Sequence, residues 1–216
     1  MMYRYFSTIL LVFSLFIQKS LIYGFEGNIT FVKQTYYDTT YYTFSVKEKM
    51  VRIDEINNRH EIMQSLIINL QDKKITALSP SQKLFTTIEK FKASDDLQKD
   101  FSVIKSQNYK YIDGHKCFLW RVRNTNLNMD MSFWVAETDF SFYSEVMSLL
   151  GRTEDYSKYC LFFNQIPDAQ GYFPMMVVEK TLLRDEKMKV SVQEINPRRI
   201  DNKLFVVPRD YKFLRY

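Results

Sequence analysis

Through most of this chain apolar and polar side chains alternate residue by residue, and only between Phe140 and Phe163 does the rhythm lengthen to that of a helix. A period of two puts alternate side chains on opposite faces of a strand, so the alternation predicts strands buried on one face. Phe25, Gly27, Ile29 and Phe31 share one such face, with Glu26, Asn28 and Thr30 on the other. Tyr42, Phe44 and Val46 then alternate with Tyr41, Thr43 and Ser45. Further strands are expected within residues 47–55, at 66–70, at 75–78 and at 84–88, separated by charged or Pro-containing turns. Such close spacing favours an antiparallel meander over strand–helix–strand units.

Residues 89–107 are polar and charged and predict a short helix or a mobile connection. Asp113-Gly114 is a turn signal. Beyond it, Phe118, Trp120 and Val122 alternate with Cys117, Leu119 and Arg121, and Met131, Phe133 and Val135 repeat the pattern. These segments predict a hairpin with its tip at 124–128. Phe140, Tyr143, Val146, Met147 and Leu150 follow at helical spacing, with Thr138 or Asp139 as N-cap and Gly151 as the stop. Tyr156, Tyr159, Cys160 and Phe163 predict a second helix, ended by Pro167. The chain then returns to strands at 175–183 and 188–195 around an Arg184-Asp185-Glu186 turn, and closes with a strand at 204–207.

The layout is therefore α+β but mainly β: a curved antiparallel sheet whose apolar face is too large to remain wet, with two short helices as the available cover. Sheet and helices can pack completely or leave a cavity between them, and periodicity does not choose.

The start of the chain, MMYRYFSTILLVFSLFIQKSLIYG, has Arg4 before an apolar run from Phe6 to Ile17. A membrane-spanning helix takes about 20 apolar residues, and this run is shorter. It fits the pattern of a secretory signal peptide, expected to occupy residues 1–24, with 25–216 as a single domain. An uncleaved N-terminal anchor is the alternative. No cysteine follows the apolar run, so a diacyl anchor has no attachment site. The mature chain is expected to be periplasmic or secreted, with no stable membrane anchor.

A formal net charge of +5, scattered along the chain, does not make the basic patch or stripe of a nucleic-acid binder. Cys117 and Cys160 could form a disulfide in an oxidising compartment or be two buried free thiols. His115 and Cys117 lie two residues apart on one strand face, but a zinc site needs three or four ligands and no third stands near in sequence. His60 is isolated, and Asp95-Asp96 and Arg198-Arg199 are most simply solvated surface. Asn28-Ile29-Thr30 has the form of a glycosylation acceptor but falls within a predicted strand. No G-x-S-x-G, phosphate loop or H-E-x-x-H is present. No catalytic residue, cofactor or metal site is assigned.

Taken in order, FEGNITF (25–31), KMVRI (49–53), DKKITALSPSQKL (72–84), FWVA (133–136), GYFPMMV (171–177), KVSVQEI (189–195) and DNKLFVVPRDYK (201–212) resemble successive landmarks of an exported bacterial domain-of-unknown-function family, the 4412 type. That family is similar in fold to the LolA and LppX type of periplasmic lipoprotein and lipid carriers. The resemblance implies a half-open β-barrel with a short helical lid over an apolar cavity, and, more weakly, a carrier role. Among this chain's residues, Phe31, Phe44, Phe133, Tyr143, Met147 and Phe163 lie on predicted apolar faces. They are either plain core or, in part, the lining of a pocket for a lipid or a lipoprotein's acyl chain. The function expected first is a non-enzymatic, exported binder of a hydrophobic ligand. A structural or interaction module with a filled core and a protein partner is the alternative, and an enzyme comes third.

Overall fold

The computed structural model describes residues 24–88, 100–151 and 157–215. The expected signal segment thus lies outside the described residues apart from Gly24, as do Asp95, Asp96 and Tyr156.

Six strands come first: β1 (Gly27–Thr35), β2 (Thr39–Lys47), β3 (Met50–Ile56), β4 (Ile62–Asn69), β5 (Lys74–Ser79) and β6 (Leu84–Ile88). Then follow β7 (Phe101–Ile112), β8 (His115–Asn124) and β9 (Met129–Glu137), the helices α1 (Phe142–Leu150) and α2 (Ser157–Asn164), and the strands β10 (Tyr172–Lys180) and β11 (Glu186–Pro197). A 3-10 turn at Asn202–Phe205 and the short β12 (Lys212–Phe213) end the chain.

All the strands form one sheet in the order β12-β6-β5-β4-β3-β2-β1-β11-β10-β9-β8-β7. Two meanders are joined where β1 pairs with β11, Phe31 opposite Val192. The sheet is open and curved, with α1 and α2 on its inner face. Register shifts interrupt the pairing near the middle of the sheet, among them one at Thr30/Phe31 in β1 and one at Pro174/Met176 in β10. The second coincides with a proline, which has no N–H to give to the ladder.

Cross-strand register carries the inner face from strand to strand. Phe31 stands opposite Tyr42, Tyr42 opposite Glu55, and Glu55 opposite Gln64. On the other side Lys33 faces Val190, Val190 faces Val177, Val177 faces Phe133 and Phe133 faces Trp120. Helix α1 buries Phe142, Tyr143, Val146, Met147, Leu149 and Leu150 against this surface. Aromatic edges set the fit: Tyr143 meets Phe173 at 4.8 Å and Phe163 at 5.2 Å, and Phe133 meets Phe163 at 5.6 Å. Such tilted pairs complement the ring quadrupoles and add to plain burial. Gly151 ends α1 in right-handed geometry, φ −61°. A Cβ there would lie 3.1 Å from Asn164 and 3.3 Å from Cys160, so the absent side chain is what lets α2 approach.

On the outer face the C-terminal segment runs back across the first meander. Lys47 donates to the Ile200 carbonyl at 2.9 Å, and the Ile200 N–H donates to Glu26 at 2.7 Å. Arg52 donates to the Leu204 carbonyl at 3.1 Å, and β12 pairs in parallel with β6.

Three local expectations are corrected. Residues 101–107, taken with the polar connection, belong to β7, an edge strand whose single neighbour leaves most of its side chains at least partly exposed. Residues 204–207 do not form a strand. The Asp201 carboxylate accepts the Lys203 N–H at 2.9 Å and starts a 3-10 turn instead. Helix α1 begins after Ser141 rather than after Thr138 or Asp139, because the Thr138 hydroxyl takes the Phe140 N–H in the preceding turn.

Candidate functional site

Between the curved sheet and the two helices lies a cleft of about 470 Å³, in part open to solvent. Its floor is apolar: Phe31, Phe44, Ile53 and Met131 from the strands, Met147 and Leu150 from α1. Its mouth is polar, and the alternation of the strands explains why. Lys33 continues the inward-facing series Ile29–Phe31, Glu55 continues Val51–Ile53, and Glu179 continues Met175–Val177. Each strand therefore changes from apolar to charged on its inner face as it reaches the rim. Gln64 and, from α2, Lys158 complete the lip.

The expected site residues separate into two groups. Phe31, Phe44, Tyr143 and Met147 line the cleft. Phe133 and Phe163 are fully buried and lie behind it in the aromatic core, in contact with each other. Lys33, Glu55, Lys158 and Glu179 were absent from the sequence expectation. Their signal was present in the pattern, as a charge at an inward position near a strand end.

Cys117 and Cys160, for which a disulfide was one option, are both buried free thiols. Each has a separate partner: the Cys117 thiol donates to the His115 carbonyl at 3.4 Å, and Cys160 lies 3.6 Å from the Met147 sulfur. Burial pushes the Cys160 thiol up, so at neutral pH it is held as a neutral thiol rather than a nucleophilic thiolate. Beside it the hydroxyls of Tyr143 and Tyr159 share a hydrogen bond of 2.7 Å, and burial raises both phenols.

Glu179 is a half-buried carboxyl at the mouth. Burial raises its carboxyl above the usual range, against the opposing pull of Lys158, Lys33 and Lys187. Tyr42 is also raised, first by burial and then by Glu55 and Asp38. The groups at the rim suit recognition of a polar end. Among the described residues no set of three or more His, Cys, Asp or Glu is grouped to hold a metal ion.

A family described as a domain of unknown function (DUF4412) matches residues 25–211. The chain belongs to this family. Its fold also recurs in solved structures. An uncharacterized conserved protein from Thermus thermophilus aligns with a TM-score of 0.51 at 8% identity, over 88% of this chain and 91% of that one. A chain of the Pseudomonas aeruginosa MucA/MucB complex aligns with a TM-score of 0.50 at 9% identity, over 88% of this DUF4412 chain and 58% of the other. At such identities the likeness speaks for the fold alone. No protein of curated function matches the sequence. Among the described residues no helix is long and apolar enough to cross a membrane.

Proposed function

We propose that this DUF4412 chain is an exported, non-enzymatic binding protein that holds a hydrophobic chain in the cleft between sheet and helices. In this reading residues 1–24 are removed as a signal peptide, and residues 25–216 act as a single domain in the periplasm or outside the cell. The observation that carries the proposal is the cleft itself: about 470 Å³ with an apolar floor and a charged lip. Small-molecule pockets run from roughly 300 to 1,000 Å³ and are mostly apolar with a few placed polar groups. The ligand class is a lipid or the acyl chain of a lipoprotein, and the volume suits one such chain rather than several.

Native mass spectrometry of the protein purified from its own envelope fraction tests this. The expected result is a co-purifying lipid that a hydrophobic fluorescent probe displaces. A ligand-free protein with no measurable probe binding would sink the proposal.

A second reading, an interaction module with a protein partner, is favoured by one comparison, the similarity in fold to a chain solved within a two-protein complex. It predicts that a partner co-purifies while the cleft stays empty of lipid.

A further inference from the structure

The cleft mouth is not electrically uniform. On the side formed by β1, β10 and α2, Lys33 and Lys158 line the mouth beside Glu179, whose carboxylate Lys187 of β11 also influences from outside the lining. Glu55 lies on the opposite lip, separated from β1 by β2 and the ring of Tyr42. Neither Lys33 nor Lys158 makes a hydrogen bond or an ion pair with another described residue. Lys33 is half-buried on the inward face directly beyond Phe31. Two lysines that line a cleft next to an apolar floor, both drawn toward Glu179 but neither bonded to another described residue, present a place for a negative group attached to an apolar body.

We infer that the cleft selects an amphiphile with one alkyl chain ending in an anionic group, the chain on Phe31, Phe44 and Met147 and the anion between Lys33 and Lys158. This rests on the cleft-binding reading proposed above and adds the head group. At about 30 Å³ for a water-sized group, a cleft of about 470 Å³ has room for about fifteen such groups, the bulk of one medium alkyl chain. Glu179 faces Lys33 from β1, Lys187 from β11 and Lys158 from α2, with Met131 of β9 beside it. Its charge opposes an arriving anion, so the anion is expected to bind on the side of Lys33 and Lys158 away from Glu179 and from Glu55 on the far lip.

Four probes with the same alkyl chain test the inference, each titrated by calorimetry below its micelle concentration at pH 7.5: dodecanoate, dodecyl phosphate, dodecanol and dodecylamine. Both anions are expected to bind more tightly than dodecanol, and dodecylamine more weakly. A charge-assisted hydrogen bond supports an effect of about tenfold, so Lys33→Gln or Lys158→Gln should each reduce the preference for dodecanoate over dodecanol by about that factor. Glu179→Gln should increase it. If dodecanol binds as well as dodecanoate, if dodecylamine binds best, or if the lysine variants leave the preference intact, the head-group inference is overturned while the apolar cleft stands. If none of the four probes binds, the cleft reading fails together with it. A difference between dodecanoate and dodecyl phosphate, both tighter than dodecanol, supports the inference and identifies the preferred anion.

Discussion

The hydroxyl of Tyr143 in α1 meets the hydroxyl of Tyr159 in α2 at 2.7 Å, and this bond holds the two helices together at the wall of the cleft. Tyr143 is buried and Tyr159 half-buried, so each hydroxyl needs a partner to offset the loss of water. Tyr143→Phe should lower the stability by about 1–2 kcal/mol, and Tyr159→Phe by a similar or smaller amount. The double variant should cost less than the sum, because the second deletion removes a hydroxyl that already lacks its partner. Urea unfolding of all four proteins measures the coupling. Strict additivity would mean that the two hydroxyls do not interact.

A second prediction concerns the outer face. Arg52 donates to Asp54 at 2.8 Å, to Ser65 at 3.1 Å and to the Leu204 carbonyl at 3.1 Å, and Ser65 donates to Asp54 at 2.5 Å. Side-chain exposures of 14% and 12% place this ion pair largely out of water. Removing one partner of a buried pair leaves the other charge uncompensated and costs about 3–5 kcal/mol. Asp54→Ala should therefore destabilise the sheet by an amount near the lower end of that range. It should also release the C-terminal segment, since Arg52 would no longer be held toward Leu204. Limited proteolysis should cut the variant after residue 200 well before the parent. Equal cutting rates would show that the segment is held by its other contacts.

Local rhythm made most of the elements legible. Phe31 and Lys33 belong to one inward series, and the same spacing located β2, β3, β8 and β9, while the longer helical spacing located both helices. What it could not supply was long-range order. Nothing in the composition of β1 and β11 announces that they pair, because pairing is decided by the closure of the whole sheet and not by either strand. Edge position explains the failure over 101–107: β7 buries little of itself, so Phe101 and Val103 stand out weakly among polar neighbours. Residues 204–207 look extended, yet local capping by Asp201 decides the turn. At the site, the residue types of the lining were readable, but the separation of Phe31 from Phe133 into cleft and core depends on where the helices settle.

That separation predicts different costs for similar deletions. Phe133 is fully buried against Phe163 and Tyr159, so Phe133→Ala leaves a closed void and should cost about 3–5 kcal/mol. Phe44 lines the cleft and packs on Phe31 at 4.8 Å. Truncating it enlarges a space that solvent or ligand already reaches, so the transfer loss of about 1.5–3 kcal/mol should dominate with little cavity penalty. Denaturant midpoints for both variants provide the comparison. Costs that agree within error would place Phe44 in the closed core and contradict its position in the cleft.

Glu179 links the cleft to pH. Burial is the largest influence on its carboxyl and raises it, while Lys158, Lys33 and Lys187 pull the other way. In the unfolded chain a glutamate titrates near about pH 4.3. As pH rises past that value the unfolded chain gives up this proton first, while the folded protein keeps it. The folded state then binds more protons than the unfolded one, so stability falls as pH rises through the window from the unfolded value to the raised folded one. Below the window the side chain is neutral in both states and contributes nothing; above it the full penalty persists. Glu179→Gln keeps the shape and removes the charge, so it should stabilise the protein at neutral pH, with the gain disappearing below about pH 4. Losing the attraction to three lysines reduces that gain without reversing it, because burial is the larger influence. Urea unfolding of parent and variant from acid to neutral pH tests this, and parallel stability profiles would show that Glu179 is solvated as freely in the folded protein as in the unfolded chain.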